Sequence, residues 1–216
     1  VEQLARLFKD PDLHGTGGSV YRVYPQEAKM EFQLGICSSL SEYIDTCDTR
    51  LSHVTPQGEA VRWVERAMGT NMAYRRSALL DVGGFDEFYV WRADDSDLAL
   101  RLANAGKRVR TVKEAIVYHI PGSSRHRQMF SHKIRWWLET HARVYYNIRN
   151  GLEGGDSRRM IARRCREIVV KQWKWFTKVW FGQHLPARDM LPMYPLEVRA
   201  VLSASWAALS RPRTLL

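Results

Sequence analysis

Three carboxylates stand within four residues, Asp94, Asp95 and Asp97, in the stretch WRADDSDLALR. Paired acids can do general-base work: one carboxylate takes a proton while its neighbour raises that affinity by like-charge repulsion or hydrogen-bonds a hydroxyl. The same residues also suit a solvated helix start, where negative charge meets the positive end of the helix dipole. Asp97 is spaced to cap that helix or to pair with Arg101, four residues on. The triplet alone favours the helix start, and it is the elements around it that shift the balance.

The first residues, VEQLARLFKD, space their apolar side chains as a helix does, and Asp10-Pro11-Asp12 ends the run. GGSVYRVYP then alternates as a strand, and a helix leading straight into a strand predicts an α/β fold. Residues 27–56 show no clean period and are expected to form a helix with loops. VRWVERAMG is a second strand. RRSALLDVGG is a short helix closed by Gly83, whose freedom to take positive φ suits a helix end. The helix after the acids is expected over residues 96–105, with Leu98, Leu102 and Ala105 on one side and Gly106 as its stop. KRVRTVKEAIVYHIPG reads as two short strands, the second ending at His119.

With 216 residues, 45% of them hydrophobic, the chain can bury a real core, which excludes a disordered tail. Cys37, Cys47 and Cys165 make an odd number without a CxxC pair or a ligand-like spacing to histidine, so a reducing compartment and no zinc site are expected. The first ten residues lack the layout of a signal peptide, and no apolar run reaches the roughly 18 residues needed to span a bilayer. The net charge of +10 is unevenly placed: residues 1–120 hold 15 Lys+Arg and 17 Asp+Glu, residues 121–216 hold 18 and 6. A boundary is therefore expected near Ser123, between a near-neutral body, 1–122, and a basic, tryptophan-rich helical extension, 123–216.

Within the body, motifs follow in a fixed order: Gly69, Asn71, Tyr74 and Arg75; Gly83-Gly84-Phe85-Asp86-Glu87; Asp94-Asp95-Ser96-Asp97-Leu98 with Arg101; Gly106; and His119. That succession resembles the C-terminal half of the catalytic domain of inverting glycosyltransferases of family two, which have the GT-A fold. The resemblance implies an α/β sandwich with a nucleotide-sugar lying across the sheet and the acceptor near the acidic pair. It places the general base on Asp95 and a supporting carboxylate on Asp94, where the family usually has Glu. Asn71, Gly84 and Asp97 fall among its substrate-binding positions, Asp97 in a supporting role. His119 resembles the histidine that completes the coordination of Mn2+ or Mg2+ on the nucleotide diphosphate, and imidazole fits such a site. Arg125 and Arg127, in the loop PGSSRHRQ, are candidates to hold the diphosphate as leaving group. Trp91 can offer its flat face to a sugar ring, although a loop tryptophan is as often a packing anchor.

Family members also carry an earlier nucleotide-binding strand and a metal-binding Asp-x-Asp. Here Asp10-Pro11-Asp12 is the one such triplet before Asp94, and it lacks the preceding apolar strand. The chain therefore resembles a partial GT-A sandwich lacking its N-terminal nucleotide-binding strands, and as it stands it is expected to be poorly active or inactive unless a partner supplies the rest.

In residues 158–183 a helical wheel places Ile161, Cys165, Ile168, Val169, Trp173, Phe176, Val179 and Trp180 on one arc and Arg159, Arg163, Arg166, Lys171, Lys174 and Lys178 on the other. This suits either an interfacial helix on an anionic membrane or a helix packed on the body with its basic face solvated. RWWLETHARVYYNIRN resembles the ending of family members that build lipid-linked or cell-surface polysaccharides, which favours the membrane. Nucleic acid is not favoured, because no recognised binding motif accompanies the charge. The expectation is an inverting glycosyltransferase of hexosyl type, moving a sugar from a nucleoside diphosphate to a glycan or lipid-linked acceptor. It would be cytoplasmic and peripheral on the inner membrane face. The alternative is a non-catalytic remnant that binds membrane or a partner through the basic tail.

Overall fold

The computed structural model describes residues 2–24, 27–32, 35–40, 43–44, 63–90, 92–120, 132–183 and 193–213. The chain divides into two compact units: Val1–Glu87, Asp94–Gly122 and Thr214–Leu216 form the first, Phe88–Ala93 and Ser123–Arg213 the second.

The first unit is mixed α/β. Helix α1 (Glu2–Leu7) leads into β1 (Leu13–Tyr24), the centre of a four-stranded sheet. Along one edge β1 pairs in parallel with β7 (Arg108–His119); β2 (Glu27–Phe32) and β6 (Met72–Tyr74) pair with it antiparallel. A second, antiparallel sheet joins β3 (Gly35–Ser38), β4 (Tyr43–Ile44) and β5 (Trp63–Arg66) in the order β4-β3-β5. Among the described residues of 27–56, strands β2, β3 and β4 stand where a helix with loops was expected. Local periodicity is weak there because each strand is short and its identity comes from pairing rather than from its own pattern.

Strand β7 is one strand, not the two that its apolar spacing suggested. Gly18 pairs with Val112 but Val20 with Val117, so extra residues of β7 bulge opposite Ser19 and break the alternation. Ser19 Oγ donates to the Lys113 carbonyl at the bulge. Gly18 is required beside it, since a Cβ there would run into the Ala115 backbone.

Helix α2 (Arg76–Asp81) ends in Gly83 and Gly84, both with φ near +75°. Helix α3 (Asp94–Asn104) ends at Gly106, also at positive φ, with Lys107 N–H returning to the Leu102 carbonyl. Ala78, Leu98 and Leu102 form a core against which Tyr74, Leu79, Val82, Phe85 and Val109 pack. This core fixes the start of α3.

In the second unit, α4 (His132–Glu153) is the central helix, with Leu138, Thr140, His141, Val144, Tyr145, Tyr146 and Asn147 buried. Phe88 and Tyr89 pack on it: Phe88 stacks on Tyr145 and His141, and Tyr89 meets Tyr145 edge-on. Helices α5 (Arg158–Gln183) and α6 (Met193–Ser210) both pack against α4. Ile161, Ile168 and Phe176 of α5 are buried, and Phe176 joins Met193, Trp173 and Leu196 in a local cluster. No helix among the described residues is long and apolar enough to cross a membrane.

Candidate active site

Helix α3 begins at Asp94, two residues earlier than its apolar spacing indicated, so all three acids lie in its first turn. Ala93, just before it, has φ 72°, a left-handed conformation costing a residue with a side chain about 1–2 kcal/mol. The chain thus enters α3 through a strained turn immediately before the acidic pair.

Three elements hold the Asp95 carboxylate. Its Oδ2 accepts from Arg66 Nη1 at 3.4 Å, at the end of β5, and from the Gly69 N–H at 3.3 Å, in the turn before β6. Its Oδ1 accepts from its neighbour Ser96, the N–H at 2.7 Å and the hydroxyl at 3.2 Å. The Arg66 and Asp95 side chains are both largely buried, so this contact is poorly screened by solvent and salt. Beside it, burial and then the negative charge of Asp95 raise the proton affinity of Asp94 above that of an ordinary carboxylate. Tyr74 lies next to the pair, and burial and then Asp95 push its phenol upward, keeping it neutral. The Tyr74 hydroxyl is buried without a hydrogen-bond partner among the described residues. Cys37, buried on β3, donates to the Ser96 carbonyl at 3.8 Å. One carboxylate is thus clamped and its neighbour is partly desolvated, an arrangement able to orient a hydroxyl and accept its proton.

Three residues expected among the substrate-binding positions make contacts within the fold. Asp97 is fully buried and accepts from Arg101 Nε at 2.8 Å, while Arg101 Nη1 donates to the Val82 carbonyl at 2.7 Å. Asp97 therefore ties α3 to the end of α2. Asn71 is buried too, and its Nδ2 donates to the Ser19 and Ala115 carbonyls at 3.1 and 2.7 Å, stitching β1 to the bulge of β7. Gly84 returns its N–H to the Leu79 carbonyl at positive φ and closes α2. Arg75 is likewise structural: its guanidinium donates to the Leu13, Phe8 and Asp10 carbonyls and holds the turn between α1 and β1.

His119 ends β7, paired in register with Arg22. Among the described residues no group of three or more His, Cys, Asp or Glu is placed to hold a metal ion, so these residues do not by themselves make a metal site. Trp91, Arg125 and Arg127 lie outside the described residues. The residue that sequence reasoning missed is Arg66. Its one signal is a cation at the end of a strand just before the GTNMAYRR run, and pairing it with Asp95 required the fold.

Residues 49–147, a little under half of the chain, match the family model described as Glycosyl transferase family 21. Two curated relatives are N-acetylglucosaminyl-diphospho-decaprenol L-rhamnosyltransferases of Mycobacterium tuberculosis, from strains CDC 1551 / Oshkosh and ATCC 25618 / H37Rv. Each is 33% identical over 135 residues, which is 60% of this chain and 40% of the relative. The chain thus spans about 40% of the length of the curated relatives it matches. The matching model is that of family 21, where the order of motifs had suggested family two. Glycosyl transfer is what the two comparisons share, and this chain, with its mixed α/β body and acidic pair, is similar to glycosyltransferases.

Proposed function

We propose that this chain is the acceptor-side part of an inverting glycosyltransferase with a GT-A-type sandwich, acting on a nucleoside-diphosphate sugar and a lipid-linked or glycan acceptor at a membrane surface. The observation that carries the reading is the clamped Asp95 beside Asp94 at the start of α3. A rotation of the Ser96 hydroxyl, whose 3.2 Å contact is the weakest on Oδ1, leaves that oxygen a lone pair for the acceptor's proton. As the proton passes to Asp95, the acceptor oxygen bonds to the anomeric carbon from one face. The bond from that carbon to the diphosphate breaks on the other, and the nucleotide departs with the electron pair. Asp94 hydrogen-bonds the incoming acceptor, its raised proton affinity suiting it to share a hydroxyl's hydrogen. A divalent cation belongs to the same reading: His119 would be the residue of this chain that helps hold it, and the cation would supply positive charge to the departing diphosphate. The lipid-linked acceptor is suggested by the relatives, which are N-acetylglucosaminyl-diphospho-decaprenol L-rhamnosyltransferases.

The test is transfer of labelled L-rhamnose and hexoses from their nucleoside diphosphates to polyprenyl-diphospho-N-acetylglucosamine, read as label in the lipid phase, with the product of the whole reading frame. Asp95→Asn should keep the fold and lower turnover by about two to four orders of magnitude, the usual worth of general-base catalysis. Near-normal transfer by that variant would remove Asp95 from the base role.

A further inference from the structure

Helix α6 is packed the wrong way round for a helix that faces water. Its buried side is small: Ala200, Ala204, Ala207 and Ala208 make the seam, with Met193 at one end. Its polar residues on that side are satisfied internally, Glu197 by the Thr140 hydroxyl at 3.0 Å and Ser203 by His141 Nε2 at 3.2 Å. The large apolar side chains point outward instead. Tyr194, Val198, Leu202, Trp206 and Leu209 recur at steps of three and four residues and are 56% to 67% exposed. At 1.5 Å per residue they form a stripe roughly 20 Å long on one arc of the helix. Contiguous exposed apolar surface of this kind marks an interaction site.

Charge selects the partner. Glu197 is the one carboxylate of α6 and it is buried, so the outward arc carries no negative charge, while Arg199 and Arg211 beside it are exposed. The exposed face of neighbouring α5 adds Arg159, Arg166, Lys171, Lys174 and Lys178. The apolar side of α5, by contrast, is partly spent inside the unit through Ile161, Ile168 and Phe176. An aromatic near each end of the stripe, no acid along it and a cationic surround match the headgroup boundary of an anionic bilayer.

We infer that the outward face of α6 is the membrane-docking surface of this protein, lying in the plane of an anionic lipid interface with Leu202 near its centre and the basic face of α5 as its electrostatic support. This deepens the membrane part of the function proposed above by naming the surface, and because its assay reads no sugar transfer, failure of either reading is visible separately.

The experiment is flotation of the whole chain with vesicles of phosphatidylcholine alone and with phosphatidylglycerol added. Binding is expected on the anionic vesicles, weakened several-fold by half-molar salt. Replacing Val198, Leu202 and Trp206 together by Ser should reduce partitioning by roughly a hundredfold or more, since each buried apolar side chain is worth about a factor of ten. The melting temperature should stay unchanged, because these side chains touch little within the fold. Trp175→Ser on α5 should change binding less than the triple substitution. The inference is overturned by equal binding to neutral vesicles, or by a triple variant that still binds while Trp175→Ser does not. It is also overturned if vesicles are not bound and the α6 residues instead mediate self-association in light scattering.

Discussion

A carboxylate held by Arg66, a backbone N–H and a serine has little freedom to turn, and that fixes where a proton can be received. Arg66 acts through Asp95, so Arg66→Met should lower transfer by up to roughly a hundredfold through loss of alignment. Arg66→Lys should recover part of that loss, with the melting temperature of the two variants alike; equal transfer by both would leave Arg66 a structural residue. Asp97 makes the opposite case. Its carboxylate is fully buried on Arg101, so Asp97→Asn leaves a buried guanidinium without its counter-charge and should cost about 3–5 kcal/mol in urea unfolding. A loss under 1 kcal/mol would mean that the pair is not the link between α2 and α3. The two acids are two residues apart in one triplet; the i,i+4 spacing to Arg101 offered Asp97 its partner in the sequence, while the Arg66 and Gly69 contacts of Asp95 were not readable there. Those two contacts depend on a strand and a turn distant in the chain.

Among the elements, α2 and α3 were legible because each carries its own signals, apolar spacing and a closing glycine at positive φ, to which α3 adds acids in its first turn. The strands β2 to β4 were not, since a short strand is defined by the partner it pairs with. The division of β7 in two was a reading of a real feature, the bulge between Val112 and Val117, as a chain break. The same bulge explains Asn71: its amide reaches the Ala115 carbonyl that the broken ladder leaves over. Asn71→Ala should therefore cost about 1–3 kcal/mol by leaving buried carbonyls unbonded. Hydrogen exchange should locate that loss at β1 and β7 around the bulge, whereas a loss spread evenly through the first unit would contradict the assignment. Motif residues such as Asn71, Gly84 and Arg75 thus hold the architecture that positions the acids.

At the scale of the whole molecule His141 and Asp94, one in each unit, should answer acid with opposite signs. In the second unit His141 is stacked between Phe88 and Trp137 and bonded to Ser203, and burial lowers its pKa from 6.5 to about 4. The unfolded chain then binds the proton more readily than the folded one, so the stability that neutral His141 permits is present above pH 6.5 and is lost as pH falls towards 4. At pH 5 the loss is roughly 2 kcal/mol. In the first unit Asp94 is shifted the other way: its folded form holds a proton more tightly than the unfolded chain, so its ionisation costs stability at neutral pH and acid relieves that cost. Hydrogen exchange followed from pH 7 down towards pH 4, corrected for the intrinsic rate, should show α4 losing protection while the first turn of α3 gains it. His141→Phe should abolish the loss in α4 alone, and Asp94→Asn the gain in α3 alone. A uniform change through both units, or an α4 response that survives His141→Phe, would show that other groups govern the acid behaviour of this protein.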